Sequence, residues 1–412
     1  MAWGPEHSAK PAPVSRRHAR AAASPDPVYL DYNATTPLDP EVRAVMAEVE
    51  RRVFANPSSI HRLGREARAL LDEARERVAT AWGCRPTEVV FTSGATEANN
   101  LAVLGTARRR KGRAGHLVCS RIEHPSVLEA VRHLERREGF RVTWVPPQRD
   151  GTVGAAAMLA AVESDTALVT LMAANNEIGT LQPVAEVGAA CRSRGIPFHT
   201  DAAQWFGKMP CDRIDVFHAD LVSICAHKFH GPRGAGALYV RGGMAPEPLL
   251  FGGGQENDQR AGTENLPAIV GLAEAVNRFA VTPVFAAAGI VRLTHRLRQA
   301  ARKWPATRLL GAEPGLLPNT VAIAVDGADA TALIAALDLV GICASSGSAC
   351  SAGALVPSHV LTALALEPPM ERGLVRFSLG RESTAAEVER LEREMPKVIQ
   401  QVLERGREAG NL

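Results

Sequence analysis

The chain of 412 residues reads as an α/β protein, with a large domain on a mostly parallel seven-stranded sheet and a smaller α/β domain at the C-terminal end. Short apolar runs recur at Val89 to Phe91, Leu117 to Cys119, Val142 to Val145, Leu168 to Met172, Pro197 to His199, Leu221 to Ala226 and Ala237 to Val240. Several are separated by segments long enough for a crossover helix, the alternation that a parallel sheet covered on both faces produces. After about residue 282 the rhythm changes to a helical stretch, strand-like runs at Val321 to Val325 and Val375 to Leu379, and a closing helix.

Residues 1–26 are rich in Ala, Pro and Arg, with Arg16, Arg17 and Arg20 clustered and no apolar period. They are expected to form a disordered tail, with an organellar transit peptide as the alternative. Asp39-Pro40-Glu41 supplies an N-cap, an N1 proline and a first-turn acid, and Val42, Val45, Met46 and Val49 follow at helical spacing. Thr384 and Glu387 make a capping box for the closing helix, whose Val388, Leu391, Met395, Val398, Ile399 and Val402 share one face. The large domain is placed at 39–282, and the small one at 27–38 together with 283–412.

Composition excludes several function classes. The 47 basic and 44 acidic residues leave a net charge of +3, no excess with which to neutralise a nucleic acid or hold an anionic membrane. Neither a continuous apolar stretch of spanning length nor a signal-peptide core is evident, so a cytoplasmic protein is expected. The seven cysteines are odd in number and lack CxxC spacing, which argues against a disulfide framework and against a metal site.

Ligands of open α/β sheets bind outside the carboxyl ends of the strands, so the polar residues that follow each apolar run are the candidates. Thr92-Ser93-Gly94-Ala95-Thr96-Glu97 is a small-residue turn opening a helix, suited to a phosphate. Glu123-His124-Pro125, Asn175-Asn176-Glu177, Asp201-Ala202-Ala203-Gln204 and His227-Lys228 end the next runs. Singly, each has an ordinary structural explanation: a turn histidine, an Asx-turn, a helix cap, a lysine reaching out of a strand end. Together they place an anion cradle, an imidazole, amides, a carboxylate and an amine on one rim. Only six of the 47 basic residues are lysines, and only lysine can lose the proton that imine formation requires. The combination describes a pyridoxal 5'-phosphate pocket.

The motif series from Leu30 to Pro37, Asn56 to Ser59, Thr92 to Glu97, Asn175 to Gly179, His199 to Gln204, His227-Lys228, Arg260 to Asn265, Ser345 to Cys350 and Arg376 to Arg381 resembles that of the cysteine desulfurases, in order and over most of the chain. These belong to the class-V aminotransferase group of fold-type I enzymes, which are homodimers with active sites at the subunit interface. The resemblance implies that Lys228 carries the cofactor covalently and that Asp201 pairs with its ring nitrogen. His124 would stack on the ring and assist proton transfers, with Gln204 and Asn176 addressing the phenolic oxygen. Ala95, Thr96 and His227 of one subunit and Thr263 of the other would hold the phosphate. Arg376 would clamp the carboxylate of the substrate, L-cysteine, with Asn176 and Asn33 beside it.

Cys350 lies in Ala344 to Ala354, eleven residues drawn entirely from Ala, Ser, Gly and Cys, a segment with no large side chain to anchor it. By resemblance it takes the substrate sulfur as a persulfide, releases L-alanine and passes sulfur to an acceptor such as an iron-sulfur scaffold protein. Cys225 stands where the family has a serine that donates to the phosphate, and Asn257-Asp258 stand where a basic residue and a glycine are usual. A selenocysteine lyase is the nearest rival reading, and a catalytically idle sulfur-transfer scaffold is a rival of another class.

Overall fold

In the computed structural model the described residues are 26–112, 114–347, 358–408 and 410. Cys350 and nearly all of the N-terminal tail lie outside them. The strands are β1 (Val28–Tyr29), β2 (Val89–Thr92), β3 (His116–Ser120), β4 (Arg141–Val145), β5 (Thr166–Thr170), β6 (Phe198–Asp201), β7 (Leu221–Cys225), β8 (Gly236–Val240), β9 (Thr307–Leu309), β10 (Thr320–Val325), β11 (Ile342–Cys343) and β12 (Leu374–Ser378).

The expected mostly parallel seven-stranded sheet is present, in the order β2-β8-β7-β6-β5-β3-β4. Only β8 runs against its neighbours, β2 and β7. Every residue of β2, β3, β5, β6, β7 and β8 is buried, which is why these strands read as continuous apolar runs rather than as alternation. The edge strand β4 starts on exposed Arg141, a charged end of the kind that blunts an open edge. Two apolar clusters flank the sheet: one includes Val118, Val169, Val222 and Trp82, the other Leu117, Leu168, Leu221 and Leu134. Successive residues of one strand thus point into opposite layers.

A three-stranded antiparallel sheet, β12-β10-β9, and a parallel pair, β1-β11, form the smaller assembly. Val321, Ile323, Val375 and Phe377 pack there against Leu391, Met395 and Ile399 of the helix Ala385–Glu408. That helix opens with the capping box read from the sequence: Glu387 Oε2 accepts from the Thr384 amide at 2.6 Å and Thr384 Oγ1 from the Glu387 amide at 3.3 Å. Strands β1, β9 and β11 gave no signal in the sequence because two or three residues are too few for a period. Pairing of β1 with β11 starts the segment that crosses between the sheets, and a bridge between Asp31 and Ser378 continues it toward residue 37.

The stretch Leu266–Ala301 has the length and hydropathy, 1.3, of a candidate membrane span. It is instead a succession of short helical segments interrupted around Pro283, and 61% of its most apolar window is buried inside the protein. Its apolarity serves the packing of Leu266–Ala275 against the helices Pro40–Arg52 and Arg62–Trp82.

His199, wholly buried on β6, bonds Thr170 Oγ1 at 2.8 Å and Ser223 Oγ at 3.0 Å. Burial holds its pKa down at about 4. Between that value and the ordinary 6.5 the unfolded chain binds more protons, so the stability contributed by neutral His199 is complete above pH 6.5 and is lost as pH falls. Glu123, held up at about 8 by burial, has the opposite slope, so the comparison must be between variants. The stability advantage of the wild type over His199→Gln is expected to shrink by about 2 kcal/mol between pH 7 and pH 5, measured by denaturant unfolding; an unchanged difference would refute a buried neutral imidazole.

Candidate active site

A cavity of about 460 Å³ opens at the carboxyl ends of β3, β5, β6 and β7 and is roofed by residues 33–35 and by Arg376 of β12. Lys228 sits in the single turn Ala226–Lys228 that follows β7. Its Nζ donates to the carbonyl oxygens of Asn33, at 2.6 Å, and Ala34, at 2.9 Å. No carboxylate lies within ion-pair distance of this amine among the described residues, and burial pushes its pKa below the ordinary lysine value. Asn33 is fixed in turn: Thr320 Oγ1 accepts from its Nδ2 at 2.8 Å, and its own amide donates to Ser378 Oγ at 2.9 Å.

The carboxylate of Asp201, at the end of β6, accepts from the Asn99 side chain at 2.7 Å through Oδ2 and from the Ala203 amide at 2.9 Å through Oδ1. Asn99 also donates to Ser126 Oγ at 2.9 Å, and that hydroxyl lies 2.8 Å from His124 Nδ1. His124 caps the helix Pro125–Glu138, and burial lowers its pKa. An imidazole and a carboxylate on different strand ends are thereby tied through one amide and one hydroxyl. Asn99 and Ser126 were not singled out in the sequence. The available signal was the Asn99-Asn100 pair inside a helix, where asparagine is a poor helix former, since local conflicts of that kind concentrate at functional sites.

The turn before the helix Ala95–Asn100 has Gly94 at φ 155° and ψ −179°, a region open in practice only to glycine. Gly236 faces it, and a Cβ at position 236 would come within 2.6 Å of the Gly94 Cα. This helix start lines the same cavity as Cys225 and His227. Cys225 is buried, and burial pushes its thiol up to about 11. His227, 3.2 Å from Thr35 Oγ1, is pushed down to about 3, by burial first and then by the nearby Lys228 amine. It is a neutral donor or acceptor at physiological pH.

Arg376 is 2% exposed. It donates to Asp31 Oδ1 at 2.6 Å, to the Asn176 carbonyl at 2.6 Å and to the Gly347 carbonyl at 2.9 Å, while its Nε has no partner among the described residues. Ala95, Thr96, His124, Asn176, Asp201, Gln204, Cys225, His227, Lys228, Arg376 and Asn33 thus line a single cavity. Thr263 does not; it is exposed and stands apart from its own chain's cavity. Its segment is anchored by Glu256, which takes Arg75 through two bonds of 2.7 Å and the Phe91 amide at 2.8 Å. Asn257 and Asp258 adopt φ values of 55° and 63°, a left-handed conformation that asparagine and aspartate tolerate better than other residues with a side chain. The departure from glycine is therefore accommodated.

These donors fit a pyridine ring bearing a phosphate: an oriented carboxylate, an imine-forming amine, an anion-binding turn and an unpartnered guanidinium nitrogen, in a cavity of small-molecule size. Residues 28–391 match the family described as aminotransferase class-V. The chain belongs to that family. Within it the chain groups with the cysteine desulfurases. It is 42% identical over 361 residues to the cysteine desulfurase IscS of Dictyoglomus turgidum, covering 87% of this chain and 90% of the relative. A solved NifS-like protein superposes with a TM-score of 0.84 at 34% identity, covering 91% of this chain and all of the other, 100%. A structure of SspA in complex with cysteine gives 0.77 at 36% identity over 87% of this chain and 100% of that one.

Replacing the weak thiol donor by a hydroxyl, Cys225→Ser, is expected to tighten the binding of pyridoxal 5'-phosphate to apo-protein about fivefold, since a neutral hydrogen bond contributes on the order of 1 kcal/mol. Fluorescence titration decides it: unchanged or weaker binding would mean that Cys225 does not face the phosphate.

Proposed function

We propose that this family member converts L-cysteine to L-alanine with pyridoxal 5'-phosphate, using Cys350 as the sulfur acceptor. The observation that carries the reading is a half-buried amine, Lys228, held by two carbonyls with no counter-ion among the described residues in a cavity that also presents Asp201, His124 and Arg376. When bound, the cofactor supplies a sink for the electron pair left on the substrate Cα. Asp201, oriented by Asn99, would pair with the ring nitrogen; Ala95, Thr96, Cys225 and His227 would hold the phosphate; Gln204 would donate to the phenolic oxygen.

Arg376 takes the substrate carboxylate as a fork, with Asn33 and Asn176 at its edges. Asp31 keeps the guanidinium fixed in its plane. Lys228, as an amine in the cavity, would take and return the Cα proton, and His124, whose pKa burial lowers, would assist that transfer. The Cys350 thiolate attacks the substrate sulfur, the carbon-sulfur bond breaks with its electron pair passing to carbon, and that carbon is protonated to give alanine. The persulfide then passes to an acceptor thiol, for example on an iron-sulfur scaffold protein in the cytoplasm.

The functional unit is a homodimer. Thr263 is exposed on its own chain, and Phe54, Ile60 and Phe251 are 83%, 91% and 82% exposed, an apolar set that a second copy would cover while lending Thr263 to the neighbouring phosphate site.

Purified protein given L-cysteine is expected to yield alanine and an added sulfur atom on the Cys350 peptide. Lys228→Ala is expected to lose alanine formation by at least about a hundredfold together with the visible absorbance of the bound cofactor. Cys350→Ala should keep the absorbance and form no persulfide. Normal turnover by Lys228→Ala, or sulfur found on Cys343 instead, would refute the assignment; turnover of L-selenocysteine in place of L-cysteine would redirect it to a lyase.

A further inference from the structure

A second lysine is buried near the cavity without a role in the chemistry above. Lys208 is 0% exposed. Its Nζ makes one hydrogen bond, 2.6 Å to Gln204 Oε1, and lies 5.3 Å from the centre of the Phe285 ring. No carboxylate pairs with it among the described residues. An apolar side chain of similar length would fill the space without the desolvation that a buried amine suffers, so packing does not account for a lysine here.

The partner residue does account for it. Gln204 lines the cavity, and its Nε2 donates to the Asn33 carbonyl at 3.0 Å, the same oxygen that takes the Lys228 amine at 2.6 Å. One chain of hydrogen bonds therefore runs from Lys208 through the Gln204 amide and the Asn33 carbonyl to Lys228. A glutamine amide can turn over, exchanging donor and acceptor. Here both neighbours forbid it: a reversed amide would set its oxygen against the Asn33 carbonyl and its NH2 against the Lys208 donors. With Oε1 committed to Lys208, both hydrogens of Nε2 face the other way, one taken by Asn33 and one left for the cavity.

We propose that Lys208 is a positioning residue that locks the Gln204 amide with its N–H toward the cavity, making the site selective for an anionic ring oxygen at that point. The proposal rests on the pyridoxal phosphate reading, whose phenolic oxygen is the group Gln204 would meet. The charged and titratable groups whose fields act on Lys208 are the Lys228 amine, the Cys225 thiol and the Arg376 guanidinium; burial first, and then Lys228, hold its pKa well below the lysine range. The hydrogen bond survives either protonation state, because a neutral amine still donates.

A donor to the ring oxygen favours its ionised form and so lowers the pH at which the absorbance of the bound cofactor changes. In holoenzyme folded as judged by circular dichroism, Lys208→Met is expected to raise that midpoint by about half a pH unit or more, and Lys208→Gln, which keeps an N–H donor without charge, to stay near the wild type. In a Gln204→Leu background Lys208→Met is expected to shift nothing further. An unmoved midpoint in Lys208→Met, an equal shift in Lys208→Gln, or a persisting shift in the Gln204→Leu background would overturn the proposal. Absence of any cofactor absorbance in wild-type protein would instead overturn the pyridoxal phosphate reading. Should the variants not fold, neutron diffraction from wild-type holoenzyme reads the amide directly: deuterons on the Gln204 atom facing the ring oxygen are expected, and deuterons on the atom facing Lys208 would refute the lock.

Discussion

The Lys228 amine, held at 2.6 and 2.9 Å by the carbonyls of Asn33 and Ala34, is the point at which the two sheets meet. Lys228 comes from the end of β7 in the large sheet. Asn33 is bound through Thr320 and Ser378 to β10 and β12 of the smaller one. Arg376, also on β12, reaches the same cavity and donates to Asp31 and to the Asn176 carbonyl. An error in the placement of either sheet would leave a half-buried amine without acceptors, a loss of hydrogen bonds that costs free energy. The site and the docking of the two assemblies are specified by the same bonds.

Electrostatics in the cavity follow from what is missing as much as from what is present. Lysine amines normally find carboxylates, yet among the described residues the carboxylates nearest this one are committed elsewhere: Asp201 to Asn99 and Ala203, and Asp31 to Arg376. Carbonyl acceptors satisfy the N–H donors without stabilising the positive charge as a carboxylate would. Burial therefore moves Lys228 toward the unprotonated amine, the form that reacts with a carbonyl. The same burial keeps His227 neutral, so the cavity contains a ring nitrogen whose charge does not change near neutral pH.

Much of this arrangement was legible in the sequence, because strand ends are marked twice, by the end of an apolar run and by the polar residue that follows. That is how Lys228, Asp201, His124 and Asn176 were found on one rim before any geometry. Arg376 and Asn33 needed the motif resemblance: Arg376 lies inside the strand-like run of β12 rather than at the end of a run, and Asn33 follows β1, which is too short to announce itself. Asn99, Ser126 and Lys208 were missed for a different reason: each acts through another residue, and a hydrogen bond between positions far apart in the chain leaves no periodic trace. Lys208 was not among the candidates, although a lone lysine among Trp205, Phe206 and Met209 signals burial. Cys350 was singled out by its all-small surroundings together with the motif resemblance, and it lies outside the residues that the structure describes.

Of the two lysines at the cavity, half-buried Lys228 is built to take a carbonyl and fully buried Lys208 is not. Reduction of the pyridoxal phosphate-loaded protein with borohydride, followed by proteolysis and peptide mass spectrometry, tests it most directly. The account predicts a single phosphopyridoxyl adduct, on the peptide that contains Lys228; an adduct on the Lys208 peptide, or comparable labelling of both, would contradict it.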